Sequence, residues 1–214
     1  MYRLSSPCAG TAGLLFPKSS GSDLRPLLCP FCKIGNRREN PVIIIYTGNG
    51  KGKTSAALGT MLRTAGYLKK TCIIQFIKDG SQYGEHHAVK HFLKDFVDMY
   101  QEGIGFYKLP GDRHDESDHR QAAAEALELA EKKMRSGHYE LLILDEILTA
   151  LMVRLISEDQ ILALIHSLPA DLHLILTGRG ATQALIDAAD LVTEMQEIKH
   201  PFQRNEKAVE GIDY

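Results

Sequence analysis

The stretch Val42-Ile-Ile-Ile-Tyr-Thr-Gly-Asn-Gly-Lys-Gly-Lys-Thr-Ser55 decides the fold, because it joins a β-branched run to three glycines and a lysine–threonine pair. The run at residues 42–46 predicts a buried strand, and residues 53–66 predict a helix that ends at Gly66. A glycine-rich turn between a strand and a helix lets backbone N–H groups converge on phosphate oxygens at the positive end of the helix. This stretch therefore predicts a nucleotide-binding α/β fold.

The turn follows the phosphate-loop pattern G-x-x-x-x-G-K-[ST], except that Thr47 stands at the first glycine position. In that pattern Lys53 reaches the phosphates as a point charge, and the Thr54 hydroxyl completes a Mg²⁺ shell. The alternative interpretation is a glycine-rich turn that binds nothing. The predicted ATP-binding residues of the loop are Gly48, Asn49, Gly50, Lys51, Gly52, Lys53, Thr54 and Ser55.

Strand and helix patterns alternate along the rest of the chain. The run at 141–144 is apolar at every position, as in a parallel strand whose sheet is covered on both faces. Alternation of this kind predicts the α/β class, with a parallel sheet and flanking helices in the three-layer, RecA-like arrangement of P-loop NTPases. The other strands are predicted at residues 72–77, 96–100, 173–176 and 191–195, and the other helices at 85–94, 117–136, within 149–168 and at 182–189.

An acidic pair, Asp145-Glu146, comes directly after the strand at 141–144. A P-loop protein places there the carboxylate that holds Mg²⁺, directly or through water, and many nucleotide hydrolases use the adjacent Glu as the base for the attacking water. The sequence thus predicts Thr54, Asp145 and Glu146 as the metal site, and these three with Lys53 as the catalytic set. The alternative is an acidic pair at the solvated end of a strand.

Arg179 lies between two glycines after the strand at 173–176. A guanidinium at the carboxyl end of a strand is suited to hold a phosphate oxyanion through two hydrogen bonds. Arg179 is therefore predicted to join the ATP-binding residues, with an exposed turn arginine as the alternative.

Composition excludes several classes of protein. The 214 residues are 44% hydrophobic and 24% charged, which argues against disorder throughout, a coiled coil and a collagen-like repeat. Charged residues break the longest apolar candidate, residues 141–156, so no membrane span is predicted. Residues 41–214 carry nineteen Lys or Arg and twenty-five Asp or Glu, which argues against nucleic-acid binding. Four cysteines, with Cys72 in a hydrophobic run, predict a reducing, cytoplasmic location.

Residues 1–40 are predicted to be a flexible N-terminal extension, and residues 41–214 the folded domain. The extension is rich in Ser, Gly and Pro and carries six Lys or Arg against two Asp or Glu. It has three possible interpretations: a transit peptide, translation from an upstream start codon, or a docking arm. Its Cys29-Pro-Phe-Cys32 pair has too few ligands for a zinc site and lacks the context of a thioredoxin-like helix, so two thiols in an arm are predicted.

Several motifs together resemble the P-loop corrinoid adenosyltransferases. The resemblance runs in order through residues 42–214 and leaves the extension outside it. Its most specific part is the tail, residues 197–214, because phosphate loops occur in many families. The motifs are Thr47 to Thr54, Gln75-Phe-Ile-Lys78, Gly84-Glu85, Leu144-Asp-Glu146, Thr177-Gly-Arg-Gly180, Lys199-His-Pro-Phe202 and Gly211-Ile-Asp-Tyr214.

This resemblance implies that ATP donates its 5′-deoxyadenosyl group to the cobalt of a reduced corrinoid and that triphosphate leaves, in adenosylcobalamin synthesis or salvage. Cob(I)alamin is itself a strong nucleophile, so the protein would contribute positioning and charge stabilisation rather than a general base. The phosphate loop, Lys53, Arg179 and Mg²⁺ would stabilise the leaving group. A flavoprotein reductant and a homodimer are further implications of the resemblance.

The resemblance also implies a corrinoid site at Glu85, Phe106 and Tyr107. Phe106 and Tyr107 match the glycine-aromatic segment of the family, which shields the lower face of the corrin ring. Many members have a Trp two residues after the Phe, where this chain has Lys108, and the chain has no Trp at all. Tyr107 is the residue expected to compensate.

Two other functions stay open from the sequence. One is a P-loop NTP hydrolase or kinase that uses Glu146 as its base, and the other is a nucleotide-gated corrinoid carrier without turnover. His86, His87 and His91 lie on the helix predicted at 85–94. His87 and His91 have an i,i+4 spacing that can bind a metal, but no third ligand is evident. They are predicted to be solvent-facing polar residues.

Overall fold

The computed structural model describes residues 40–78, 83–105, 107–108 and 112–213, with Phe202 by its backbone only. They form one six-stranded sheet in which every neighbouring pair of strands is parallel. The spatial order is β3-β2-β4-β5-β1-β6. The strands are β1 (Ile43–Thr47), β2 (Thr71–Gln75), β3 (Val97–Gln101), β4 (Leu141–Asp145), β5 (His173–Thr177) and β6 (Leu191–Glu194).

Helices connect the strands. A π-helical stretch at Val89–Leu93 continues the second helix, and a short 3₁₀ helix at Pro201–Arg204 lies in the tail. The α-helices are α1 (Lys53–Gly66), α2 (Gly84–Ala88), α3 (Glu116–Arg135), α4 (Ile147–Met152), α5 (Glu158–His166) and α6 (Gln183–Ala188). None of the described helices is both long and apolar enough to cross a membrane.

Alternating strand residues bury the two faces of the sheet against different helices. Leu141 and Ile143 pack with Ala57 and Met61 of α1. Leu142, Leu144 and their neighbours pack with residues from α3, α4, α5 and α6. Two buried faces explain why the central strands are apolar throughout. The predicted α/β class and its RecA-like three-layer arrangement are therefore confirmed.

The register of the parallel strands lines up the residues at their carboxyl ends. Gln75 of β2 is the partner of Asp145 of β4, and Tyr46 of β1 is the partner of Thr177 of β5. The last residues of these central strands therefore meet at one edge of the sheet, beside the turn that follows β1. This edge carries the site.

The helical connection after β4 differs from its prediction. It starts at Ile147, because Glu146 takes a left-handed conformation (φ 63°) that ends the strand and turns the chain into α4. The region holds two helices, as the prediction of helical segments allowed, and Ser157 caps the N-terminus of α5 by accepting a hydrogen bond from the Gln160 N–H. The helix predicted at 85–94 likewise changes its hydrogen-bond pattern at Val89.

The proposed extension lies almost entirely outside the described residues, which begin at Asn40. Its boundary and the roles of Cys29 and Cys32 therefore stay predictions. In the described part of the chain, Cys72 is free and buried.

Candidate active site at the phosphate loop

A cavity of about 450 Å³ opens at the carboxyl edge of the sheet. Residues 51–55 of the phosphate loop form one side, and Lys78, Glu85 and Glu146 lie across from them. Residues 211–213 of the tail complete the lining. Parallel α/β sheets bind their ligands at this edge, so the cavity is the candidate active site.

Lys53 is the buried cation of this cavity. Its Nζ donates hydrogen bonds to the carbonyl oxygens of Gly48, at 2.9 Å, and Gly50, at 2.7 Å. Burial lowers the pKa of the Lys53 ammonium, while the nearby Glu146 carboxylate acts in the opposite direction. The loop thus wraps around the charge that the sequence predicted would meet phosphate.

Asp145 lies fully buried at the centre of a hydrogen-bond cluster. Its Oδ1 accepts from the Thr54 hydroxyl at 2.8 Å and from the Thr177 hydroxyl at 2.7 Å. Its Oδ2 accepts from Gln75 Nε2 at 3.0 Å, with Lys78 Nζ 3.5 Å away. The cluster joins the start of α1 to the ends of β2, β4 and β5, and it holds the carboxylate and the Thr54 hydroxyl next to each other.

Lys78 is a charged residue of the cavity to which sequence reasoning assigned no role. Its ammonium pairs with Glu85 at 2.9 Å and faces Asp145. Burial alone would lower the pKa of Lys78, but the two carboxylates raise it overall. Burial would likewise raise the pKa of Glu85, and the hydrogen bond from Lys78 lowers it. The feature of the sequence that could have pointed to Lys78 is its position shortly after a buried strand.

Glu146 is held in place from both its backbone and its side chain. Its N–H donates to Thr177 Oγ1 at 2.9 Å, and its carboxylate accepts a short hydrogen bond from the Thr149 hydroxyl. Burial raises the pKa of Glu146. The left-handed backbone turns this side chain toward the cavity, where it faces Lys53.

Two glycines of the phosphate loop pack against the chain that follows β6. A Cβ atom on Gly48 would lie 2.4 Å from the Met195 carbonyl oxygen, and one on Gly50 would lie 2.7 Å from the Gln196 carbonyl oxygen. The Gly50 N–H also donates to the Met195 carbonyl at 2.6 Å. Backbone packing therefore requires glycine at these positions, in addition to the access to phosphate on which the sequence argument rested.

Arg179 lies on the other side of the phosphate loop. With Asn49 and His200 it lines a second cavity of about 270 Å³ that also touches Lys53. Its backbone N–H donates to Thr149 Oγ1 at 3.1 Å, and the preceding Gly178 has a φ of 136°, which favours glycine. The exposed arginine thus lies beside the loop, and its positive charge contributes to lowering the pKa of Lys53.

The end of the tail contacts the phosphate loop directly. The Asp213 carboxylate forms an ion pair with Lys51. The same carboxylate accepts a hydrogen bond from the Val209 N–H at 2.7 Å, which closes a turn at 209–213. The tail therefore presents an acidic group at the cavity mouth, close to where the sequence predicts the phosphates of ATP.

The residues predicted for the corrinoid lie in two places. Glu85 lines the cavity. Tyr107 lies in the segment that leads to α3, where its hydroxyl donates to Glu116 at 2.6 Å and its ring meets the His119 ring edge-on. Phe106 lies outside the described residues.

The histidines of α2 and of the π-helical stretch after it differ in their exposure to solvent. His87 and His91 are exposed, as predicted, and their rings stack at 6.4 Å. His86 is half-buried and its Nε2 lies 2.9 Å from Gln75 Oε1, so its prediction as a solvent-facing residue is wrong. Within the described ranges, no group of three His, Cys, Asp or Glu is arranged to hold a metal.

Residues 39–214 match the model of the family described as ATP:corrinoid adenosyltransferase BtuR/CobO/CobP. The chain belongs to this family. The corrinoid adenosyltransferase of Pseudomonas aeruginosa is 36% identical over 83% of this chain and 86% of its own length. The corrinoid adenosyltransferase of a Sinorhizobium species is 34% identical over 82% of this chain and 81% of its own length. That of Escherichia coli K12 is 31% identical over 82% of this chain and 87% of its own length.

This membership confirms the resemblance drawn from the motifs, and with it the prediction that the chain is a transferase. The described structure brings Lys53, Thr54 and Glu146 to one cavity, and the buried Asp145 is hydrogen-bonded to Thr54 beside it. It adds three polar residues that sequence reasoning left without a role: Gln75, Lys78 and Thr177.

Proposed function

We propose that this chain transfers the 5′-deoxyadenosyl group of ATP to the cobalt of a reduced corrinoid in adenosylcobalamin synthesis or salvage. The observation that carries the proposal is the phosphate loop with its buried Lys53, set beside Thr54 and Asp145 in a member of the adenosyltransferase family. The ATP and corrinoid substrates follow from that family.

In the proposed reaction the Co(I) electron pair forms the Co–C bond to C5′ of ATP, and the C5′–O bond breaks. The electrons of the broken bond leave with triphosphate, so no proton needs to be removed from the nucleophile. The work of the protein is then to orient ATP and to stabilise the leaving charge. The Lys53 ammonium, the loop amides and Arg179 are the groups we assign to that charge.

A Mg²⁺ ion fits the oxygen donors at the loop. The Thr54 hydroxyl and the Asp145 carboxylate lie 2.8 Å apart, and the Glu146 carboxylate lines the same cavity. These are the hydroxyl and carboxylate ligands that Mg²⁺ takes beside nucleotide phosphates. When bound, the ion would neutralise part of the triphosphate charge. Thr54 would hold it directly, with Asp145 or Glu146 acting directly or through water.

The hydrolase or kinase alternative depends on Glu146 as a base, and a substitution separates it from adenosyl transfer. We expect Glu146→Gln to retain adenosyl transfer to cob(I)alamin within about tenfold, because that nucleophile needs no base. A hydrolase that uses Glu146 to activate water would lose about 10²-fold or more. Steady-state rates with each substrate measure the difference. A loss of transfer beyond 10²-fold would contradict the base-free mechanism.

Product analysis tests the proposed function itself. The protein is incubated with ATP, Mg²⁺ and chemically reduced cobalamin, and the Co–C product is followed by its absorbance spectrum. We expect an adenosylated corrinoid and triphosphate in equal amounts. ADP and phosphate would support the hydrolase or kinase, and binding of both substrates without products would support the corrinoid carrier.

We assign the corrinoid to the side of the cavity where Glu85 lies, with Phe106 and Tyr107 shielding its lower face. Tyr107 is anchored through Glu116 and His119, which supports a fixed rather than freely moving aromatic group. In place of the usual Trp, this chain carries Lys108, whose Nζ lies 4.6 Å from the centre of the Tyr107 ring.

Phe106→Ala should therefore impair reduction of the cobalt more than transfer. We expect a large loss of activity with cob(II)alamin plus a reductant, and a smaller loss when cob(I)alamin is supplied ready-made. The reason is that an open lower face lets water or the lower base coordinate cobalt and makes it harder to reduce. ATP affinity should hardly change. Equal losses with both cobalt states would place Phe106 in the core or at the nucleotide instead.

Further assignments rest on the resemblance or on the composition of the sequence. We propose a flavoprotein as the reductant of the corrinoid, a homodimer as the assembly, and the cytoplasm as the location. Residues 1–40 are proposed to be an extension outside the catalytic domain.

A further inference from the structure

A chain of polar groups runs from the N-terminus of α2 to the buried Asp145. The Tyr83 N–H donates to His86 Nδ1 at 3.2 Å, and His86 Nε2 lies 2.9 Å from Gln75 Oε1. Gln75 Nε2 then donates to Asp145 Oδ2 at 3.0 Å. Gln75 is completely buried, so its amide makes these bonds away from water. The helix that carries Glu85 is thus connected to the phosphate site.

The direction of every hydrogen bond in this chain is fixed. Because His86 Nδ1 accepts from a backbone N–H, the proton of the neutral ring is on Nε2, which donates to Gln75 Oε1. The Gln75 amide then has to turn its NH₂ group toward Asp145, whose carboxylate only accepts. Burial lowers the pKa of His86, which favours the neutral ring. One arrangement of protons satisfies all four groups.

This arrangement helps to hold the plane of the Asp145 carboxylate beside the phosphate loop. Gln75 holds Oδ2, and Lys78 Nζ is 3.5 Å from the same oxygen. The other oxygen, Oδ1, accepts from the Thr54 hydroxyl and from the Thr177 hydroxyl. If the Gln75 amide were free to reverse, its Oε1 would face the carboxylate and repel it from this position.

We propose that His86 is a positioning residue: through Gln75 it fixes the Asp145 carboxylate in the orientation that holds the Thr54 hydroxyl for magnesium and triphosphate. This inference rests on the proposed function, and it adds a residue outside the phosphate loop to the nucleotide site. Groups that orient a metal-binding residue commonly change metal affinity by about 10–100-fold when they are removed.

The two ring nitrogens of His86 serve different neighbours, so two amide substitutions separate them. In His86→Gln, the longer side chain retains a donor for Gln75 in the position of Nε2 and loses the acceptor for the Tyr83 N–H. In His86→Asn, the shorter side chain retains that acceptor in the position of Nδ1 and no longer reaches Gln75. Each variant is thus the matched control for the other.

The test measures the dissociation constant of ATP by calorimetry, with and without Mg²⁺, for the wild type and both variants. We expect Mg²⁺ to increase the ATP affinity of the wild type and of His86→Gln by a similar factor. In His86→Asn this factor should be about tenfold smaller. Affinity for ATP without Mg²⁺ should stay the same in all three. Adenosylation of cob(I)alamin should show the same order, with the loss in His86→Asn reduced at high Mg²⁺.

Other patterns overturn the inference. If His86→Asn behaves like the wild type, His86 has no positioning role. If both variants lose equally, His86 acts through α2 and not through Gln75. A wild type whose ATP affinity does not change with Mg²⁺ also contradicts the inference. Should His86→Asn fail to fold in a thermal scan, Gln75→Met replaces it with the same expected loss, and its retention of the full gain overturns the inference. A wild type that binds ATP with Mg²⁺ but makes no Co–C product overturns the proposed function instead.

Discussion

Lys53→Ala is expected to lower kcat/KM for adenosylation by about 10²–10³-fold while the protein still folds. The Lys53 ammonium is the buried positive charge of the phosphate loop, and we propose that it stabilises the charge that develops on triphosphate. Removal of one preorganised group at a developing anion typically costs this much. Adenosylation of cob(I)alamin at saturating Mg²⁺, followed by absorbance, measures the loss.

Two variants control this prediction. Lys53→Met keeps the aliphatic stem and removes only the charge, so it should lose as much activity as Lys53→Ala. Arg63→Ala removes an exposed cation from the last turn of the same helix and should keep nearly full activity. If Lys53→Ala kept more than about a tenth of the wild-type kcat/KM, a loss below about 1.4 kcal/mol, the assigned role of the lysine would be wrong.

Asp145→Asn is expected to reduce both activity and stability. Four donors surround the Asp145 carboxylate, from Thr54, Thr177, Gln75 and Lys78. With an NH₂ group in place of one carboxylate oxygen, at least one donor would face another. Leaving a buried donor without its acceptor costs about 1–3 kcal/mol. We expect that loss in the free energy of unfolding, measured by urea denaturation, together with a fall of about 10²-fold in kcat/KM.

Asp190→Asn is the matched control for Asp145. Asp190 Oδ2 accepts a hydrogen bond from the Ile43 N–H at 2.8 Å, at the opposite end of β1 from the phosphate loop. An Asn side chain retains an oxygen for that bond, so both activity and stability should stay close to those of the wild type. An equal loss of activity in the two variants would mean that Asp145 acts only by stabilising the sheet.

Local patterns in the sequence were sufficient for the elements and for part of the cavity. Helix α1 has the predicted bounds, and the strand before the phosphate loop is displaced by one residue. Such elements depend on residues close together in the chain, namely an apolar run, a glycine-rich turn and an amphipathic helix. The acidic pair after β4 was recognised for the same reason, because its meaning depends only on the strand that precedes it.

Two other partners of Asp145 could not be read in the same way. Thr177 and Gln75 are 32 and 70 residues away from it in the chain. Only the strand order, which places β4 between β2 and β5, brings these side chains together. A buried Gln or Thr at the end of a strand has no local pattern that distinguishes it from a residue at the surface.

The sequence by itself determined the α/β class, the phosphate loop with Lys53 and Thr54, the acidic pair and the family, because each is written in short segments of fixed spacing. Only the tertiary structure decided that Gly48 and Gly50 pack against the chain after β6, that Asp213 pairs with Lys51, and that His86 faces inward to Gln75. These contacts join segments distant in the chain. The strand order and register of the sheet set the geometry of these contacts. The free energy of packing the whole sheet selects that order and register.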